Sequence, residues 1–243
     1  MNQTETLTQL EGLKLGGMAE YYESIIKIPY DKRPSLDVAI ARMVEAERYY
    51  RDNKRTERFL RASKLRYNAN IEDIECSSTR NLTKEQLSEI ADCNFIRQAV
   101  NILISGMTGC GKSYLACALG NQACQLGFRT EYYNMNRFME LVGQAKLDGT
   151  FLKLLTHIEK VDLLILDDFA LQPLNDNVRQ ALLQILEDRY DKKSVIIISQ
   201  LPVVKWYDYI AEPTFADAIM DRLVNNAVNI ELKGESMRKK RNK

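Results

Sequence analysis

The chain has 243 residues, with a hydrophobic content of 45%, a charged content of 28% and a formal net charge of +1. This composition is typical of a globular protein with one full-sized domain and a small second one, and the near-neutral charge gives no sign of nucleic-acid binding by the chain as a whole. No apolar run approaches the roughly 20 residues of a membrane helix, and the start of the chain lacks the pattern of a signal peptide. The five cysteines are odd in number and show no metal-ligand spacing, so we expect a cytoplasmic protein without a membrane partner.

Residues 1–66 have the apolar spacing of helices. Ser35 is suited to cap a long helix that continues into a basic segment. Residues 67–82 lose this periodicity and are interpreted as a linker, after which Thr83 and Gln86 form a predicted capping box for a short helix. The predicted division is a helical N-terminal domain for DNA or partner binding (1–66), a linker with a short helix (67–97) and a third region (98–243).

From residue 98 onward, apolar strands alternate with helical patterns. The predicted strands are 100–105, 129–133, 161–166, 195–199 and 228–232, and the predicted helices are 112–126, 136–156, 177–191 and 214–226. Near-continuous apolar strands separated by helices indicate a parallel sheet that is covered on both faces. We therefore predict an α/β domain with a five-stranded parallel sheet.

The segment Gly106–Ser113 matches the phosphate-loop pattern G-x-x-x-x-G-K-[ST] completely, between a predicted strand and a predicted helix. Its glycines let successive backbone N–H groups point at phosphate oxygens, and the helix that follows directs its positive end at the same phosphates. We expect Lys112 to bridge the β- and γ-phosphates of ATP and Ser113 to bind Mg²⁺. The residues predicted to contact ATP in this segment are Gly106, Met107, Thr108, Gly109, Cys110, Gly111, Lys112, Ser113 and Tyr114.

Two adjacent carboxylates, Asp167 and Asp168, end the apolar strand 161–166. The carboxyl ends of parallel strands lie at one edge of the sheet, which is also the edge of the phosphate loop. Asp167 is then expected to bind Mg²⁺, and Asp168 to orient or deprotonate the attacking water. Aspartates are also common in exposed turns, and the phosphate loop upstream favours the metal site.

The phosphate loop and the runs ILDDF, IIISQLPVVKW, AIMDRL and GESMRK resemble the IstB-like and DnaC-like AAA+ ATPases, over nearly the whole chain. The IstB-like proteins are bacterial helper ATPases of insertion-sequence transposition, and the DnaC-like proteins load replicative helicases. Ser-Gln-Leu-Pro followed by Trp206, and Gly-Glu-Ser-Met-Arg, look closer to the transposition helpers. The resemblance implies an AAA+ domain without a C-terminal helical lid.

The resemblance also suggests roles for residues outside the phosphate loop. Ser199 corresponds to the polar sensor near the γ-phosphate, with Gln200 as the competing choice. Arg222 resembles an arginine finger that enters the site of a neighbouring subunit, and the alternative is an arginine that binds carbonyls at its own helix end. Arg189 is a weaker candidate, for which we prefer the helix-end role. Arg238 is a candidate second sensor for the γ-phosphate. AAA+ proteins at large have Glu where this chain has Asp168, so slow hydrolysis is expected.

Residues 42–66 contain nine Lys or Arg residues against four Asp or Glu residues, and the last six residues contain five basic groups. On a continuous helix, five of these cations fall near one face: Arg51, Lys54, Arg55, Arg58 and Arg61. Such a basic stripe would contact DNA phosphates without reading bases, although charged helix faces are usually only solvated. The resemblance favours DNA binding.

The function predicted from the sequence is that of an ATP-dependent transposition helper. A homo-oligomer with ATP sites between subunits would assemble on duplex DNA, hold or bend it, and present it to a cognate transposase. The nearest alternative is a helicase loader that contacts single-stranded DNA. A monomeric small-molecule kinase and an adaptor that binds ATP but scarcely hydrolyses it are further alternatives.

Overall fold

The computed structural model describes residues 3–237, and these divide between two compact units, Met1–Arg58 and Phe59–Lys243. The division falls inside a helix and before the predicted domain boundary at residue 66. Leu65 and Tyr67 pack against the core of the second unit, which explains why this part of the chain belongs to it. The apolar periodicity continues along the helix. It therefore does not indicate the residue at which the helix stops packing in the first unit and starts packing in the second.

The first unit contains α1 (Gln3–Gly12), α2 (Gly16–Ile26) and the first part of α3 (Leu36–Ser63). The buried carboxylate of Glu47 accepts hydrogen bonds from the backbone N–H groups of Gly17 and Met18, at 2.9 and 3.2 Å. Burial acts to raise the pKa of Glu47, but hydrogen bonds from Arg51 and the two N–H groups outweigh it and lower that pKa. Glu47 thereby anchors the start of α2 to α3.

The second unit is a parallel five-stranded sheet with the strand order β2-β3-β4-β1-β5. The strands are β1 (Asn101–Gly106), β2 (Thr130–Asn134), β3 (Leu163–Phe169), β4 (Ser194–Ser199) and β5 (Ala227–Leu232). The helices are α4 (Lys84–Ala91), α5 (Asn94–Arg97), α6 (Lys112–Gln125), α7 (Met135–Leu147), α8 (Phe151–Glu159), α9 (Asp176–Arg189), α10 (Trp206–Ile210) and α11 (Pro213–Val224). Alternate strand residues enter two apolar clusters, one on each face: Ile102 and Ile104 belong to one and Leu103 to the other. None of the helices in the described residues is long and apolar enough to cross a membrane.

These elements confirm the predicted α/β fold and its five parallel strands. The single helix predicted over 136–156 is instead two helices, because Gly149 adopts a positive φ of +67° between α7 and α8. The capping box of α4 is confirmed, since the Thr83 hydroxyl accepts from the Gln86 N–H while the Gln86 side chain accepts from the Thr83 N–H.

The predicted linker is part of the folded second unit, so the interpretation as a plain linker was wrong. Ala69 and Leu82 are fully buried, and the intervening chain forms two short 3₁₀ turns, Ile71–Asp73 and Ser78–Arg80. Irregular backbone has no hydrophobic period, and this is why the sequence pattern missed its packing.

Arg189 at the end of α9 is buried and cross-links the amino ends of β3 and β4. Its guanidinium donates to four carbonyl oxygens, those of Ile158, Val161, Asp162 and Ser194, at 2.7–3.1 Å. Burial lowers the pKa of Arg189 to about 10. Arg189 therefore binds carbonyls as expected, although these belong to other segments and not to its own helix.

We expect Arg189→Met to lower the free energy of unfolding of the second unit by about 3 kcal/mol or more, because four buried carbonyls lose their donor. Urea denaturation of the full chain, followed by the fluorescence of Trp206, would measure the change. Lys192→Met is the matched control, since Lys192 is exposed near the same turn. Equal midpoints for both variants would contradict this role for Arg189.

Candidate nucleotide-binding site

The phosphate loop connects β1 to α6 and has a backbone that only glycine adopts easily. Gly106, Gly109 and Gly111 have φ values of +144°, +83° and +94°. A Cβ atom on Gly106 would lie 2.2 Å from the Leu232 carbonyl oxygen of β5, and one on Gly109 would lie 2.4 Å from the Ser236 Oγ. Both the conformation and the close neighbours therefore require these glycines.

Lys112 is the first residue of α6, and its side chain folds back over the loop. Its Nζ donates to the carbonyl oxygens of Gly106 and Met107, at 2.7 and 2.8 Å, and the residue is only 7% exposed. Ser113 follows in the first turn of the helix and is half-buried. The cationic side chain and the positive end of α6 thus lie at the same place, as an anion-binding site requires.

The acid pair lies at the end of β3, in an irregular part of the sheet. The register between β3 and β4 shifts between Leu166 and Phe169, and Asp168 within this bulge has a φ of +60°. Asp167 is fully buried, and its carboxylate accepts from the Tyr132 hydroxyl at 2.6 Å and from the Asp168 N–H at 2.8 Å. The bulge turns the two adjacent carboxylates toward the same edge of the sheet.

Both carboxylates have polar partners that the sequence reasoning missed. Asn134, at the end of β2, donates from Nδ2 to the Asp168 carboxylate at 2.6 Å. Asn134 reaches Asp168 because it lies opposite Asp167 in the pairing of β2 with β3. This pairing depends on the alignment of two strands that are distant in sequence.

Arg66 is the second missed partner. Its Nη1 lies 3.9 Å from Asp167 and 3.8 Å from Asp168. Burial acts to lower the pKa of Arg66, but a hydrogen bond with Tyr132 and the charge of Asp167 outweigh it and raise that pKa. The acid pair therefore has a compensating positive charge within the same chain.

The residues at this edge fit a Mg²⁺ ion. Carboxylate and hydroxyl oxygens are its preferred ligands, and magnesium at phosphate sites takes only one or two carboxylates because the phosphates and waters complete its coordination. The fully buried Asp167 already attracts one cation, Arg66, and β3 is separated from β1 only by β4, a span of about 10 Å. Ser113 and Asp167 are the residues that would hold the ion.

The hydroxyl of Ser199, the predicted sensor, has two backbone partners in this structure. Ser199 Oγ donates to the Phe169 carbonyl at 2.7 Å and accepts from the Leu201 N–H at 3.0 Å, and the residue is 1% exposed. Gln200, the competing choice, is exposed at the same edge of the sheet. Gln200 is therefore the more accessible of the two side chains.

Arg222 lies near the amino ends of the strands, whereas the phosphate loop follows the carboxyl end of β1. Asn101, the first residue of β1, donates to the carbonyl oxygen of Arg222 at 3.0 Å, and β1 then runs about 17 Å before the loop begins. The Arg222 guanidinium forms a salt bridge with Glu187 of α9 and donates to the Ala218 carbonyl at 2.8 Å. It cannot reach the phosphate loop of its own chain.

A cavity of about 630 Å³ adjoins the phosphate loop and has the size of a typical ligand site. Its lining includes Gly109, Gly111, Lys112, Ser113 and Tyr114, and also Tyr67, Asp73, Ile74, Glu75, Arg80 and Met237. About half of the wall thus comes from the segment 67–82, which we call the former linker, and from the segment after β5. In the latter segment, the Met237 N–H donates to the Gly109 carbonyl at 2.9 Å. Arg238, the predicted second sensor, lies outside the described residues.

The five cations of the predicted DNA-binding stripe are all exposed on α3. Three of them form salt bridges with acids on the same helix: Arg51 with Glu47, Lys54 with Glu57, and Arg55 with Asp52. These pairs reduce the net charge of the stripe.

Comparison with known proteins gives the family. The model of the IstB-like ATP binding protein family matches residues 8–243. A protein named as an insertion sequence ATP-binding protein, y4pL of Sinorhizobium fredii, is 40% identical over 234 residues, which cover 96% of each chain. A protein of the same description from the insertion sequence IS1162 of Pseudomonas fluorescens is 39% identical, over 83% of this chain and 88% of that protein.

Solved structures show the same fold at low identity. DnaA bound to AMPPCP and single-stranded DNA is 21% identical with a TM-score of 0.59, over 71% of this chain and 52% of that chain, about half of DnaA. The DnaC helicase loader is 18% identical with a TM-score of 0.57, over 69% of this chain and 98% of that chain. With its complete phosphate loop, its acid pair and its five-stranded parallel sheet, the chain belongs to the IstB-like ATP-binding protein family and is an AAA+ ATPase.

Proposed function

We propose that the protein is a transposition helper ATPase that assembles on duplex DNA in an ATP-dependent manner and recruits or stimulates the transposase of its insertion sequence. The observation that carries this proposal is the position of Arg222, which is separated from the phosphate loop of its own chain by the length of β1. A complete hydrolytic site then requires a second copy of the chain. The family and the names of its relatives support the connection to an insertion sequence.

In this proposal each group has one task. Backbone N–H groups of Gly106–Ser113 and the Lys112 ammonium bind the β- and γ-phosphates of ATP, and Ser113 and Asp167 would hold Mg²⁺, whose charge would offset negative charge on the phosphates. Asp168 orients the attacking water, and Asn134 holds the Asp168 carboxylate in place. Gln200 reaches toward the γ-phosphate from the end of β4.

Arg222 supplies the remaining positive charge in trans. Its guanidinium contacts Glu187 of α9 and the Ala218 carbonyl of α11, and its side chain is 23% exposed. A neighbouring subunit that presents its phosphate loop to this surface would receive the guanidinium. Repeated head-to-tail contacts of this kind give a closed ring if the rotation from one subunit to the next divides a full turn evenly, and a helical filament if it does not.

A filament or ring of this type suits DNA binding without base recognition. Each subunit would contribute exposed cations of α3, such as Arg58 and Arg61, and many weak phosphate contacts would add along the DNA. Bending duplex DNA by 40–90° costs about 1–6 kcal/mol, which a few such subunits together offset. Bound ATP would stabilise the assembly, and hydrolysis would dissociate it and time the delivery of DNA to the transposase.

We expect Arg222→Ala to bind ATP normally but to lose about 10³-fold or more in hydrolysis rate, because the trans arginine stabilises the transition state and not bound ATP. Lys112→Ala should fail to bind ATP and to form nucleotide-dependent multimers on DNA. An equal mixture of the two inactive variants should regain turnover, because an Arg222→Ala subunit with bound ATP can receive the intact arginine of a Lys112→Ala subunit; fully random head-to-tail pairing would give about a quarter of the wild-type rate. Turnover of ATP by the mixture measures this directly.

Glu187→Gln is the matched control for Arg222, because it removes the salt bridge and keeps the guanidinium. If Glu187→Gln were as inactive as Arg222→Ala, the arginine would act through its salt bridge with α9 of its own chain. A mixture that stays inactive would contradict a site shared between subunits, and Lys112→Ala multimers that still require nucleotide would contradict the whole assembly scheme.

We expect duplex DNA to raise ATP turnover and particle mass together, measured by a turnover assay with simultaneous light scattering. The double variant Arg58→Gln, Arg61→Gln should lower the slope of log affinity against log salt by about 2, one unit for each lost phosphate contact. Lys160→Gln with Lys192→Gln removes the same charge from exposed positions of the second unit and should leave the slope unchanged. Stimulation by single-stranded DNA alone would instead favour a helicase-loading function.

A further inference from the structure

Arg80 is a buried cation in contact with the phosphate loop. It is 8% exposed and lies in the second 3₁₀ turn of the former linker. One Nη donates to the Cys110 carbonyl in the middle of the loop at 3.0 Å, and the other donates to the carbonyl of Glu75. The same Nη2 would lie 2.7 Å from a Cβ atom on Gly111, so the loop and the guanidinium are in direct contact.

The charge of Arg80 has no anionic partner within salt-bridge distance among the described residues. Its two acceptors are neutral carbonyls, and its Nε is buried without a hydrogen-bond partner, as is the Nε of Arg189, so the number of Nη acceptors and the access of a ligand distinguish the two arginines. Burying a charge without an opposite charge costs several kcal/mol unless enough hydrogen bonds or a ligand compensate it.

Arg189 is the internal reference for a purely structural arginine in this chain. Its guanidinium binds four carbonyls, and the cavity beside it measures about 10 Å³, which is too small for anything but a water molecule. Arg80 has only two carbonyls and lines the 630 Å³ cavity together with Lys112 and Ser113. The two arginines therefore differ in whether a ligand can reach them.

Other segments fix the position of Arg80. The N–H of Lys233, just after β5, donates to the Arg80 carbonyl at 3.0 Å, and Asn81 donates from its side chain to the Glu231 carbonyl at 2.9 Å. The adjoining turn is thus tied to β5, the neighbour of the strand that leads into the phosphate loop. A cation held this firmly beside an anion-binding loop is preorganised for phosphate.

We propose that Arg80 is a second cation of the phosphate-binding site, which acts within its own chain on the phosphate groups of the nucleotide. Lys112 contacts the carbonyls at the start of the loop and Arg80 contacts the carbonyl at its centre, so the two cations approach the loop from different segments. Arg80 is a positioning residue for the Cys110–Gly111 part of the loop as well as a source of positive charge. Bound nucleotide in turn compensates the buried charge of Arg80.

The test is equilibrium binding of ADP, AMP and inorganic tripolyphosphate to the full chain, with Arg80→Gln, Arg80→Lys and the control Lys84→Gln, an exposed cation of α4. We expect Arg80→Gln to bind ADP and tripolyphosphate about 10–100-fold more weakly, which is the range of a charged hydrogen bond, and AMP with a smaller loss. Arg80→Lys keeps the charge but cannot donate to both carbonyls, and should remain within about fivefold of wild type. Lys84→Gln should bind as wild type.

A purely structural role would give a different pattern. Arg80→Lys would then bind as weakly as Arg80→Gln, and the loss would be the same for AMP and ADP; either result would overturn the proposal, as would unchanged binding by Arg80→Gln. If Arg80→Gln does not fold, the ADP affinity of Arg80→Lys is the test: a loss of less than about fivefold supports the proposal, and a larger loss overturns it. Loss of ADP binding in Lys112→Ala with normal binding in Arg80→Gln would reject the role of Arg80 and leave the ATP site itself intact.

Discussion

The parallel sheet separates the charged groups of this protein into two sets, and the rest of the mechanism depends on that separation. Because all five strands run in one direction, the phosphate loop, the acid pair and Gln200 follow the carboxyl ends of β1, β3 and β4, while Arg222 precedes the amino end of β5. No rearrangement of loops can bring the two sets together in one chain without breaking the sheet. In the proposed function, ATP hydrolysis therefore requires two assembled subunits, one that supplies the phosphate loop and one that supplies Arg222.

The phosphate loop is supported by three segments that are distant in sequence. The Leu232 carbonyl of β5 lies behind Gly106, Met237 donates to Gly109, and Arg80 donates to Cys110. Each contact is to the backbone of the loop, so the shape of the loop is determined by hydrogen bonds and close approach together with its glycines. Movement of the segment after β5 or of the former linker would therefore change the site that binds phosphate.

Charge compensation explains the arrangement around the acid pair. Two adjacent carboxylates, one of them fully buried, repel each other unless a cation lies between them or beside them. Arg66 supplies that charge here, and Tyr132 and Asn134 donate hydrogen bonds to the same oxygens that Arg66 faces, one on each carboxylate. On the cationic side of the site, Lys112 and Arg80 donate hydrogen bonds to carbonyl oxygens of the phosphate loop.

The sequence by itself determined the order of strands and helices, the phosphate loop, the acid pair and the capping box of α4. Each of these depends on residues that are close along the chain, through hydrophobic period, turn geometry or a local hydrogen bond. Only the tertiary structure decided that the segment 67–82 forms the wall of the nucleotide cavity, that Ser199 is occupied by backbone partners, and that Arg66 and Arg80 reach the site. These features depend on contacts between side chains and backbone atoms that are 30 or more residues apart, such as the contact of Arg80 with Cys110. Such contacts leave no periodic pattern in the sequence. They depend on the order of the strands in the sheet and on which irregular segment passes over the carboxyl ends of the strands.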